Sequence, residues 1–408
     1  MSHFINLSIL KRNTNFRYLF IGQFVSFFGT MITVVALPYQ IYHMTHSTLW
    51  VGLLSLSQLI PLLFTALLGG ALADRHHRRI LLLSTEALLM IGCLLLAFNA
   101  WSVHSSILVL FIVATIMSAI TGLHRPALDS ITQQIVDAKD YPSIGALNSF
   151  KFGVAMTAGP AVAGLLIGHF GLVTTYLLDF STFLISLIAL ILMRHIPPPT
   201  RSGIEKTFES VKIGFNYAIS KQPLMGSYLV DFAAMIFGMP MALFPAIAEN
   251  FGGANTLGFL YSAPAVGALI ISIVSGWAHR IKRHGVAIAV SASLWGIAII
   301  LFGLSHKLWL ALFFLVCAGA ADAVSGIFRS VLWNETIPNN LRGRLAGIEM
   351  ISYLSGPKLG DTEAGLVAAA FGITFSVVSG GVLCIIGVGA CCIFLPKFWR
   401  YCSEIDSQ

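Results

Sequence analysis

Apolar runs of about 20 residues recur along nearly the whole chain, each long enough to cross a hydrocarbon core of roughly 30 Å. They predict spans at 17–43, 48–73, 80–101, 105–124, 145–168, 173–194, 224–248, 256–278, 285–304, 308–331, 343–368 and 373–395. Each must be helical, because a backbone amide or carbonyl left unpaired in lipid is costly. The first span is too long for a signal peptide and lacks a small-residue cleavage site, so it reads as an uncleaved anchor. The longest polar connection, 195–222, opens near Pro197, Pro198 and Pro199. It separates an N-terminal six-helix bundle (1–194) from a C-terminal six-helix bundle with a short tail (223–408). The expectation is an all-α membrane protein of twelve transmembrane helices in two pseudo-symmetric bundles.

The two halves can be laid over one another, as internal duplication requires. Val51-Gly52-Leu53-Leu54 opens a span that ends at Gly69-Gly70, and Leu257-Gly258-Phe259-Leu260 opens one that ends at Ser275-Gly276. Gly52 to Gly70 and Gly258 to Gly276 are the same 18 steps, at an offset of 206. Gly122-x-x-Arg125 is answered by Gly326-x-x-Arg329, and Gly159-Pro160 by Gly356-Pro357.

Composition agrees with the pattern: 57% of residues are hydrophobic and 10% charged, too few charges to cover a soluble chain of 408 residues. If the N-terminus is cytoplasmic, Lys11, Arg12, Arg75, Arg78, Arg79, Arg280, Lys282, Arg283, Lys397 and Arg400 fall on the cytoplasmic side, and Lys307 alone lies in an opposite loop. An even number of spans returns the C-terminus to that side. The net charge of +7 therefore reports topology and gives no sign of nucleic-acid binding. The six cysteines show neither disulfide nor metal spacing and read as small apolar fillers.

Gly70-x-x-x-Asp74-Arg75-x-x-Arg78-Arg79 resembles the cytoplasmic loop motif of the major facilitator superfamily, with His77 where the family has glycine. A small residue there lets two helices approach, and the carboxylate can pair with basic groups at a helix end, a latch between the halves. Gly159-Pro160-Ala161-Val162-Ala163-Gly164 resembles the exporter motif of the fifth helix, with Ala163 in place of one glycine. Val35-Ala36-Leu37-Pro38-Tyr39-Gln40-Ile41, Gly238-Met239-Pro240 and Ser355-Gly356-Pro357-Lys358-Leu359-Gly360-Asp361 are similar to stretches of one branch. That branch contains the enterobactin exporter and related bacterial drug and siderophore exporters. The resemblance implies a monomeric inner-membrane exporter working by alternating access. It implies proton motive force as the energy source, with no cofactor.

Charged side chains within spans are functional candidates by default. In the architecture the resemblance implies, spans 1, 4, 7 and 10 line the cavity, which makes Asp231 and Asp322 the leading proton-coupling carboxylates. Asp231 shares a helical face with Tyr228 and Met235, and Asp322 lies two turns before Arg329. Lys358 and Asp361 are three apart and can meet, leaving Glu363 on another side of the helix. That group is either a coupling pair or a static one. Glu86 and Asp179, on outer spans, read as structural partners, and Lys151 and Glu349 occupy corresponding places near span ends.

Gln23, Thr30, Thr33 and Gln40 on the first span, with its Pro38 kink, offer a candidate cargo surface; ordinary interhelical hydrogen bonding explains them almost as well. Arg125 and Arg329 are either attractors for an anionic cargo or positive-inside anchors. The chain lacks His-Glu-x-x-His, a nucleophile elbow and a phosphate-binding glycine loop, so an enzyme is a poor fit. The expected partners are a small-molecule cargo and the lipid bilayer. The cargo is a siderophore or, alternatively, any of a range of amphipathic drugs, and an envelope partner is left open.

Overall fold

The computed structural model describes residues 7–75, 77–194, 207–338 and 341–403. The linker segment 195–206 and the side chains of Gly70, Asp74 and Arg75 lie outside the described residues. Among the described residues the elements are helices, with no strand.

We label the long helices α1 (Thr14–Thr45), α2 (Thr48–Arg75), α3 (Arg78–Trp101) and α4 (Ile107–Ile135). The helix Tyr141–Leu192 is two spans joined at Gly171, where φ is +77°, giving α5 (141–170) and α6 (172–192). Then follow α7 (Gln222–Phe237, resumed at Phe244–Phe251), α8 (Ala254–Val274), α9 (His284–Gly303) and α10 (Leu308–Thr336). The chain ends with α11 (Arg342–Phe371) and α12 (Ile373–Phe394). Among the described residues, ten helices are long and apolar enough to cross a membrane by length and composition. The Gly171 joint makes two spans of one of them, and α11 is absent from the ten because it carries its own cluster of charges, which gives twelve.

Duplication shows in the turns. Gly171 and Gly372 each follow a phenylalanine, each has positive φ (+77° and +92°), and each joins two spans with almost no loop. Only glycine holds that conformation without strain, so the same device closes α5–α6 and α11–α12.

The expected continuous span 224–248 is instead broken. α7 ends at Gly238, a 3₁₀ turn runs over Met241–Leu243, and helix resumes at Phe244–Phe251. Pro240 has no amide to give, and a break at this depth is tolerable only where other groups satisfy the freed backbone. Trp295 Nε1 donates to the Gly238 carbonyl at 2.9 Å, and the Ala242 amide donates to Asp361 Oδ1 at 2.9 Å.

By packing, the described chain forms two compact units. The first comprises Met1–Thr45, Ser57–Gly203 and Gly253–Gly258; the second comprises His46–Leu56, Ile204–Gly252 and Phe259–Gln408. Each therefore includes the opening turns of a helix that runs on in the other. In the second unit, Gly52 of α2 lies against Gly365 of α11: a methyl on Gly52 would meet Gly365 Cα at 3.1 Å, and Thr362 Oγ1 donates to the Gly52 carbonyl at 3.2 Å. In the first unit, Gly258 of α8 lies against Gly164 of α5, where a methyl on Gly164 would meet Gly258 Cα at 2.8 Å. The glycines paired by sequence offset thus sit in equivalent backbone-to-backbone crossings, where small residues replace the hydrophobic drive that lipid does not supply.

Substituting Gly164 or Gly258 by valine should lower the thermal midpoint in detergent, at a cost of about 1–3 kcal/mol from overpacking. Gly276→Ala, where nothing lies within 4 Å of an added methyl, should leave it nearly unchanged.

Candidate functional site

In the second unit, charged groups converge at α7, α10 and α11. Asp231 sits mid-helix on α7, and its carboxylate forms an ion pair with Arg329 of α10, both buried. Arg329 Nη2 also lies 3.5 Å from Asp322 Oδ1, one end of a two-turn separation along the same helix. The Asp322 side chain is 55% exposed and that of Arg329 10%, so the guanidinium joins a buried carboxylate to an exposed one. Glu349 of α11 acts electrostatically on the same guanidinium, although Glu349 itself is exposed.

Below this group Tyr228 stacks on Trp333, centroids 5.1 Å apart, and Trp333 Nε1 donates to Ser227 Oγ at 2.8 Å. Two donors of this group, Arg329 Nε and the Tyr228 hydroxyl, are buried without a hydrogen-bond partner among the described residues. Removing either partner of a buried pair is expensive because the other charge stays behind.

Asp361 on α11 does a different job. Its Oδ2 accepts from Ser55 Oγ at 2.9 Å and its Oδ1 from the Ala242 amide at 2.9 Å, so it ties the start of α2 and the break in α7 to one helix. Lys358, one turn earlier, interacts with it electrostatically. Glu363 has no hydrogen-bond or ion-pair partner among the described residues. Gly356 packs on Met235 of α7, where a methyl would meet Met235 Cβ at 2.9 Å; Gly159 packs on Met31 of α1 in the same way, at 2.7 Å. The two glycine-proline motifs, with Pro160 and Pro357, therefore mark equivalent crossings.

The polar residues of α1 are used inside the first unit. Gln23 Nε2 donates to Glu86 Oε1 at 2.5 Å and to Ser186 Oγ at 3.3 Å. Thr33 donates to the Asp179 carboxylate, which also accepts from Cys93 Sγ at 3.3 Å and from Thr182 Oγ1 at 3.0 Å. Gln40 Oε1 accepts from the Tyr176 hydroxyl at 2.8 Å. Thr30 bonds back to the Ser26 carbonyl at 2.9 Å. Cys93 thus donates a hydrogen bond as well as filling space.

Arg125 is exposed, and with Lys151 it acts on Asp129. It therefore differs from its sequence counterpart Arg329, which is buried in an ion pair. Of the loop motif, Arg79 donates to the Leu190 and Ile191 carbonyls at 3.1 and 2.7 Å, and Arg78 to the Ser130 carbonyl at 3.2 Å. The Arg79 contacts cap the end of α6, where a cation also meets the negative end of the helix dipole.

Sequence reasoning passed over His124, Trp333 and Ser55. His124 is the last residue of an expected span and ionisable, which is a signal in itself. Ser55 and Trp333 carry none, because their partners lie 306 and 106 residues away.

Residues 7–401 match the family model described as transmembrane secretion effector. The chain is 30% identical over 390 residues to the enterobactin exporter EntS of Shigella flexneri, across 95% of this chain and 93% of the relative. The EntS of Escherichia coli O1:K1 / APEC matches at the same identity and coverage. Among solved structures, a POT family transporter in complex with 5-aminolevulinic acid superposes with TM-score 0.76 at 12% identity, covering 95% of this chain and 97% of that one. A D-xylose-proton symporter gives 0.70 at 16% identity, covering 96% and 98%. At these identities the two structures speak for the fold alone, twelve helices of the major facilitator type.

Asp231→Ala should destabilise the purified protein by about 3–5 kcal/mol by stranding Arg329. Adding Arg329→Met to it should recover most of that loss in the same thermal unfolding assay.

Proposed function

The chain belongs to the transmembrane secretion effector family of the major facilitator superfamily, whose members are transporters rather than enzymes, and from that premise we propose that it is a proton-coupled siderophore exporter. It works by alternating access in the bacterial inner membrane, as a monomer with both termini cytoplasmic, and draws on the proton motive force without a cofactor. The cargo reading is supported by relatives named as enterobactin exporters that match nearly the full length of the chain.

The observation that carries the coupling is Arg329, held by buried Asp231 and approached by exposed Asp322. A proton arriving on Asp322 or Asp231 weakens the hold on the guanidinium, and a freed guanidinium attracts an anionic cargo. Arg329 Nε and the Tyr228 hydroxyl are the two donors already unmet for that purpose. One group thereby responds to both proton and cargo, as antiport requires. Asp361 and Glu363 are secondary coupling candidates, and Arg125 a second attractor of anions. Movement takes place between the six-helix halves 1–194 and 223–408.

Deleting the gene and comparing medium with cytoplasm by mass spectrometry, iron-replete and iron-starved, tests the cargo. An iron chelator should fall outside and accumulate inside only under starvation, and Asp231→Asn should reproduce the deletion at normal protein level. Unchanged chelator secretion with raised sensitivity to unrelated amphipathic drugs would replace the siderophore by multidrug efflux.

A further inference from the structure

The first unit contains an ionisable network that the Asp231–Arg329 site does not use. Glu86 of α3 has a 0% exposed side chain, and its Oε2 is buried without a hydrogen-bond partner among the described residues. Its Oε1 faces two groups: Gln23 Nε2 at 2.5 Å and His124 Nε2 at 3.7 Å. The His124 ring on α4 is fixed at both nitrogens, with Nδ1 2.9 Å from Thr85 Oγ1 and Nε2 3.2 Å from Gln23 Oε1.

Two arrangements that hold the same number of protons fit these contacts. In both, Thr85 Oγ1 gives its hydrogen to the Leu81 carbonyl, 2.9 Å away, and accepts from His124 Nδ1–H, also at 2.9 Å. With the Gln23 amide nitrogen toward Glu86, its oxygen faces Nε2, and that contact is a bond only if Nε2 also carries hydrogen. The ring is then a cation and Glu86 a carboxylate. With the amide turned over, its NH₂ donates to a bare Nε2 and its oxygen accepts from a Glu86 O–H, and both groups are neutral. The two arrangements hold the same number of protons. They differ by one broken O–H bond on Glu86 and one formed N–H bond on His124.

We propose that Glu86 and His124, switched by the Gln23 amide, form a proton-transfer pair within the first unit, a proton-binding site separate from Asp231, Asp322 and Arg329. The His124 side chain is 13% exposed against 0% for Glu86, so the imidazole is the point of entry and the carboxyl the store. The charged groups facing the pair are Arg125 on α4 and Lys151 on α5 toward His124, and Asp179 on α6 toward Glu86; α1 contributes the uncharged Ser26. Because Gln23, Glu86, His124 and Ser186 join α1, α3, α4 and α6, moving the proton changes hydrogen bonds among four helices at once. Its use in transport rests on the proton-coupled reading above, whereas the test of the pair does not.

The test is infrared difference spectroscopy of the full-length protein in lipid, between acid and alkaline pH. The expected result is a protonated-carboxyl band that disappears in Glu86→Gln and shifts in His124→Gln, with imidazole ring bands that change together with it. If Glu86→Gln does not assemble, Thr85→Val, which keeps both titrating groups and removes only the Nδ1 acceptor, should shift the ring bands and the carboxyl band together. A Glu86 band that is absent, or indifferent to both His124→Gln and Thr85→Val, overturns the pair. Export insensitive to a protonophore alongside a titrating pair would sink the coupling and leave the pair; coupled export with a silent pair would do the reverse.

Discussion

A charge placed in hydrocarbon has to be compensated by the protein itself, because no water or counterion is at hand to do so. Arg329 is where that constraint bears hardest. It is too buried to reach solvent, it takes Asp231 as its close partner, and it has Asp322 within reach on its own helix. The helices carrying these groups are therefore fixed in register by electrostatics more strongly than by apolar packing, which in lipid has little preference for one neighbour over another. A contact with two acidic partners, one buried and one exposed, also has more than one balanced state. A transporter needs that property, and a purely structural ion pair lacks it.

The same need for internal compensation explains the rest of the frame. Backbone freed by Pro240 is met by Trp295 and Asp361. Carboxylates on the outer helices are met by hydroxyls and amides of α1, so Glu86 and Asp179 reach inward although their helices do not line the expected cavity. Close approach is gained by deleting side chains, as at Gly52 with Gly365 and Gly164 with Gly258. These crossings sit at equivalent places in the two sequence repeats, and so do the Phe-Gly turns at Gly171 and Gly372.

Much of this was legible in the chain. The spans follow from hydropathy because lipid leaves the backbone one choice, and the duplication shows because glycines at crossings cannot drift. The residues of the candidate site were visible singly, Asp231 as a charge within a span and Arg329 as the counterpart of Arg125 in the repeat. Their mutual contact was not, since 98 residues separate them and neither is at a helical spacing from the other. Gln23, Thr33 and Gln40 illustrate a second limit: a polar stripe on a helix shows that something polar faces it, without saying whether that is cargo or another helix. The break in α7 was signalled by Gly238 and Pro240, but apolar residues on both sides concealed it. His124 was passed over because a neutral-looking residue at a span end attracts less notice than a formal charge.

The central claim is that one arginine–carboxylate group lets a proton and an anionic cargo compete. It is tested most directly by reconstituting the purified protein in vesicles with a pH-sensitive dye inside and adding an iron-free siderophore. The account predicts proton movement that begins with the cargo, runs opposite to it, and is lost in Asp231→Asn protein that still folds. Cargo transport of undiminished rate with no accompanying proton movement, or unchanged coupling in that variant, would contradict it.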